Sequence, residues 1–169
     1  MDKYGFQSQF PKLVINEVNA LNVKQLLKGS QNDARDLRSL LWSSIDNEDS
    51  LDLDQLEYCE HGSNQEILVK VAIADVDLFV PKNSQTDQHA VQNGTSVYTG
   101  IEIFPMLPDR LSTDLSSLRV GQDRLAVVIE FAVLLDGSIR SGDIYRAIVH
   151  NKAKLIYEDD NEYDDNAIS

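Results

Sequence analysis

The chain has 169 residues, 42% of them hydrophobic, which suits a single domain with a sizeable core. Its 28 Asp and Glu against 15 Lys and Arg give a formal net charge of -13, the wrong sign for a free-standing nucleic-acid binder held by charge alone. A lone cysteine, Cys59, excludes an intrachain disulfide and fits a reducing, cytoplasmic setting, and no apolar run approaches the roughly 20 residues of a membrane span.

Taken in chain order, the polar start from Met1 to Gly5 is unlike a signal peptide. Pro11 to Leu27 reads as one helix: Pro11 suits a first turn, Leu13, Val14, Val18 and Leu21 recur at three- and four-residue steps, and Gly29 is a stop. Leu40 to Ile45, Leu56 to Glu60 and Glu66 to Val76 read as strands, the last two joined through the turn-rich His61 to Gln65. Cys59 is expected as a small buried residue on its strand. Asp87 to Asn93 forms a short helix ending at Gly94 and precedes an extended Thr95 to Tyr98. Pro105 and Pro108 make the segment to Leu118 irregular. Arg124 to Leu135 and Ser138 to Tyr157 are strand-like and bracket Asp136-Gly137, a hairpin signal. The expected fold is α+β, a mainly antiparallel sheet with flanking helices. Residues 158–169 carry six acids and no base, so they are expected to be a solvated, disordered tail.

Between two of these strands lies the densest chemistry. From Asp46 to Glu60 there are seven acids and no Lys or Arg, so the segment is costly to order unless a hard cation or solvent relieves the repulsion. Asp52 and Asp54 are two apart, and in extended backbone they project to one side. Asp46 enters from the preceding strand. Mg2+ suits such donors because it takes oxygen ligands and keeps several waters, while a solvated acidic turn is the plain alternative. An EF-hand fits poorly, since Leu51 stands where its sixth-position glycine belongs. His61, His89 and His150 are scattered without ligand spacing. Asp75 closes an apolar strand, where it either supports the acidic site from behind or caps the next turn. Arg110, Arg119 and Arg124 follow the proline-rich segment, where surface solvation is the default and contact with ligand phosphates the alternative.

The acidic segment is followed by Val71-Ala72-Ile73-Ala74-Asp75, by Gly94-Thr95-Ser96-Val97-Tyr98, by Phe104-Pro105-Met106-Leu107-Pro108 and by Leu111 to Leu118. In order and spacing, from about Phe10-Pro11 to Tyr157, these blocks resemble the N-terminal half of the catalytic domain of the ribonuclease II family. The resemblance implies Mg2+-dependent 3′-to-5′ hydrolysis of single-stranded RNA to nucleoside monophosphates. It implies metal-binding roles for Asp46, Asp52, Asp54 and the residue at Gln55, a direct catalytic role for Asp54, and base stacking by Tyr98. The family has an aspartate where this chain has Gln55, which removes one of four charges. The family's second half supplies an arginine near the scissile phosphate, so the activity is expected to be incomplete in this chain alone, with a second chain as a candidate partner. A non-catalytic RNA-binding or assembly module derived from the same fold is the alternative.

Overall fold

In the computed structural model, which describes residues 5–30 and 33–157, two helices lead into a sheet. The expected single helix is two, α1 (Lys12–Asn19) and α2 (Val23–Ser30). The break falls where Asn22 competes with the helix for backbone donors: its Oδ1 accepts the Gln25 N–H at 3.3 Å and caps α2.

The strands are β1 (Arg35–Asp36), β2 (Ser43–Asp46), β3 (Gln55–His61) and β4 (Ile67–Ala74), then β5 (Val97–Tyr98), β6 (Ile103–Phe104), β7 (Asp123–Val133), β8 (Ile139–His150) and β9 (Ala153–Ile156). Helix α3 (Gln85–Asn93) precedes β5, starts on a Ser84 cap and ends on Gly94 with φ 71°, as its sequence predicts. β5 and β6 form a small separate ribbon. The other seven strands are ordered β1-β8-β7-β4-β3-β2-β9, antiparallel except for β1 on β8 and β9 on β2. This is the expected mainly antiparallel α+β architecture. Asp136-Gly137 turns β7 into β8, with Gly137 at φ 80°. Beside the irregular register near Ile129 and Phe131, a Cβ at Gly142 would collide with the Glu130 carbonyl oxygen.

The strand order forces curvature. Only Asn151 and Lys152 separate β8 from β9, a reach of about 11 Å between Cα atoms. Five flat ladder steps would span about 24 Å. The sheet therefore curls, and the expected single strand from Ser138 to Tyr157 breaks at Asn151. That residue is buried, donates to the Leu118 carbonyl at 2.8 Å and accepts the Ala153 N–H at 3.1 Å. The concave face holds Trp42, Leu56, Leu118, Val128 and Val149, all without solvent contact. A second cluster of Val18, Phe79, Val80, Leu107 and Leu111 seats the helices.

Several side chains depart from expectation. Cys59 is exposed, because it lies on the convex side of β3. Asp75 neither caps the following turn through its side chain nor faces the acidic loop: it is 3% exposed and lies 2.8 Å from Arg146 Nε. Arg110 donates to the Val18 carbonyl at 2.6 Å, and Arg124 to those of Ser117 and Asp114, so both bind backbone. The proline-rich segment contains a wide helical turn, Arg110–Leu115. The acidic residues 158–169 lie outside the described residues. No helix among the described residues is long and apolar enough to cross a membrane.

Candidate active site

The acidic loop runs from the end of β2 to the start of β3, and four residues outside it hold its backbone. Ser117 is the main one: its hydroxyl donates to the Leu51 carbonyl at 2.7 Å and accepts the Leu53 N–H at 3.1 Å. Next to it the Leu118 N–H reaches the Leu53 carbonyl at 2.9 Å, so both neighbours of Asp52 are tied to one buried turn. From β9, the Lys154 ammonium donates to the carbonyls of Glu48 and Ser50 at 2.9 and 2.8 Å. At the β4 end, the Ala74 N–H holds the Asp54 carbonyl at 2.9 Å. The loop has no base of its own, so tertiary contact supplies one. Ser117 fell inside a quoted sequence block without its anchoring role being legible; Lys154 carried no signal beyond its strand.

The candidate residues then take distinct places. Asp46 ends β2, and its Oδ1 accepts the Asn47 N–H at 2.8 Å and the Ser50 hydroxyl at 2.6 Å. Asp52 points toward β5, where the Tyr98 hydroxyl lies 3.4 Å from its Oδ2. Asp54 is pushed above the ordinary aspartate range by partial burial first, then by the charges of Asp52 and Asp46. Gln55 differs from them, since it begins β3 opposite Ile73 and its amide favours the ionised form of Glu57, two residues along the same face. Burial nonetheless pushes Glu57 up.

Asp52 and Tyr98 also line a cavity of about 840 Å³, walled by α1 and by the segment around Pro105 and Pro108. Tyr98 is 64% exposed, so its ring is free to receive a flat partner. The donor chemistry fits a hard cation: carboxylate oxygens whose mutual repulsion raises Asp54 would gain from a positive charge. Among the described residues no three Asp, Glu, His or Cys side chains close on one point.

A profile of the RNB domain matches residues 34–167. The chain belongs to the RNB domain family. Ribonuclease R of Thermotoga maritima is 38% identical over 155 residues, covering 92% of this chain and 22% of the relative. Mycoplasma genitalium RNase R in its apo form superposes with a TM-score of 0.83 at 30% identity, over 93% of this chain and 24% of that one. The same enzyme in complex with ribose-methylated single-stranded RNA gives 0.82 at 29% identity, over 91% and 24%. The chain thus spans about a fifth of the length of the curated relative and a quarter of the solved one. Its RNB-type fold and exoribonuclease kinship are those expected from the motif blocks.

Proposed function

We propose that this RNB chain forms the metal-binding part of a 3′-to-5′ exoribonuclease site that hydrolyses single-stranded RNA to nucleoside monophosphates in the cytoplasm. The observation that carries the reading is the approach of Tyr98 to Asp52 at the mouth of the cavity, which sets an aromatic face beside the carboxylates. Tyr98 would hold a base by its face without reading its identity, a grip worth about 1 to 3 kcal/mol per base. Asp46, Asp52 and Asp54, with the Gln55 amide as a neutral fourth donor, would hold Mg2+. When bound, the ion supplies charge neutralisation at the scissile phosphate and a more acidic water. Asp54 orients the attacking water. Ser117 and Lys154 keep the loop from collapsing outward under its own repulsion. Relatives four to five times as long support a role for residues outside this chain in completing the site, whether in the same polypeptide or a second chain.

One observation favours the non-catalytic alternative. Gln55 adds no charge and leans on Glu57, so the site has three carboxylates in the positions considered. A time course on 5′-labelled single-stranded RNA separates the two, run with Mg2+ or EDTA on this chain and its Asp54→Asn variant. Metal-dependent shortening from the 3′ end, lost in the variant, supports the nuclease. RNA binding without shortening, by the folded chain supplied with the unmatched remainder of a ribonuclease R, supports the module.

A further inference from the structure

Ahead of α1, residues 5–10 lie as a strap along α3, held mostly through Gln7. The Asn93 side chain meets both backbone groups of Gln7: its Oδ1 accepts the Gln7 N–H at 2.9 Å and its Nδ2 donates to the Gln7 carbonyl at 3.0 Å. The Gln92 amide donates to the Gly5 carbonyl at 2.9 Å. His89 is 4% exposed, with Nδ1 2.9 Å from Gln7 Oε1 and Nε2 3.3 Å from Asn93 Nδ2. The Phe10 ring lies against the imidazole, their centroids 4.8 Å apart, and Phe6 meets Phe104 of β6 edge-on. The strap thus ties α3 to the ribbon that carries Tyr98, and Phe10 lines the same cavity as Tyr98.

These contacts fix the charge of the ring. The Gln7 N–H needs an acceptor and the Gln7 carbonyl a donor, so the Asn93 amide has one orientation, with Nδ2 toward His89. One Nδ2 hydrogen goes to the Gln7 carbonyl and the other faces His89 Nε2, which must therefore offer a lone pair. The ring proton then sits on Nδ1 and is donated to Gln7 Oε1. An imidazolium has an N–H at both positions, so protonation sets two donors against each other in a buried contact. Burial also pushes the pKa of His89 down. No charge of the packed elements offsets this among the described residues. The strap has no titratable group, and Lys12 of α1 is exposed. Glu17 of α1 accepts the Gln85 N–H at 2.8 Å, and Asp87 of α3 accepts the Asn83 N–H at 2.6 Å. On the ribbon, Tyr98 is directed at Asp52 and Glu102 is exposed.

We propose that His89 is a proton-sensitive latch: neutral, it pins the strap and with it the Phe10 wall of the cavity, and protonated, it releases both. It is a positioning residue, since it acts through Gln7 and Phe10. The released strap lets the ring take a proton more readily than the latched one. The latch is therefore full above the ordinary imidazole value and weakens as pH falls from there through the lowered one. The test uses the full chain without RNA or metal, so its outcome is independent of the nuclease reading. Amide exchange at Gln7, followed by NMR as a protection factor, reads the latch because Asn93 holds that N–H. Between about pH 7.5 and about pH 5.5 this protection should fall about five- to tenfold, while that of Ala72 in the sheet stays constant. His89→Gln, which cannot ionise, should show no such fall. Asn93→Asp sets an acceptor opposite Nε2 and should also remove it. Nitrogen-15 spectra of the wild-type ring at about pH 7.5 should find the proton on Nδ1. A proton on Nε2, a wild type without the fall, or an equal fall in either variant would overturn the proposal.

Discussion

The Tyr98 hydroxyl stands 3.4 Å from Asp52 Oδ2, across a gap between two elements that share no ladder. Burial, followed by the charge of Asp52, pushes that phenol up, so it stays protonated and able to donate at neutral pH. The contact orients the ring over the acidic loop. Tyr98→Ala is expected to weaken binding of a short oligonucleotide by about 1 to 3 kcal/mol, while Tyr98→Phe keeps most of the stacking. Fluorescence anisotropy with labelled RNA checks both, and equal losses in the two variants would move the interaction from the ring to the hydroxyl.

Asp54 gives a prediction with a definite sign. Its folded pKa is raised, so the native state binds the proton more tightly than the unfolded chain and stability falls as pH rises from the ordinary aspartate value through the raised one. In EDTA, Asp54→Asn should therefore melt higher than wild type at pH 7, with the gap closing as pH drops below that window. The same variant should lose RNA cleavage. A lower melting temperature at pH 7 would show that Asp54 is stabilised by contacts other than those described.

Gln55 tests where the fourth donor points. Gln55→Asp restores a charge and should enlarge the rise in melting temperature produced by Mg2+, while lowering stability without metal because it faces Glu57. An unchanged Mg2+ response, measured by differential scanning calorimetry, would mean that position 55 serves the sheet and not the ion.

Ser117→Ala removes the partner of two backbone groups at once, the Leu51 carbonyl and the Leu53 N–H. A buried group left unpaired costs about 1 to 3 kcal/mol, and Asp52 lies between the two. Urea denaturation should show that loss, accompanied by faster amide exchange at Leu53. Normal exchange there would remove Ser117 from its anchoring role.

Glu130 carries the opposite pH signature. The Lys70 ammonium, 2.7 Å away, and then the Tyr145 hydroxyl hold it below the usual glutamate range. Its contribution is full above the ordinary glutamate value and is lost as pH falls through the lowered one. Glu130→Gln should be less stable than wild type at pH 7 and converge with it in acid, as followed by circular dichroism.

The sequence by itself determined the strand pattern, the Asp136-Gly137 hairpin, the α3 helix with its Gly94 stop and the family, because each depends on local periodicity, turn chemistry or motif order. It also marked Asp46, Asp52, Asp54 and Tyr98 as candidates. Only the tertiary structure decided that the sheet curls at Asn151, that helix α1 stops before Asn22, and that Asp75 answers Arg146. Nor does local pattern give the lashing of the acidic loop by Ser117 and Lys154, more than 60 and 100 residues along the chain. Those outcomes follow from which distant groups find buried donors or opposite charge, and the alternation of a strand is silent about which of its faces the rest of the chain will cover.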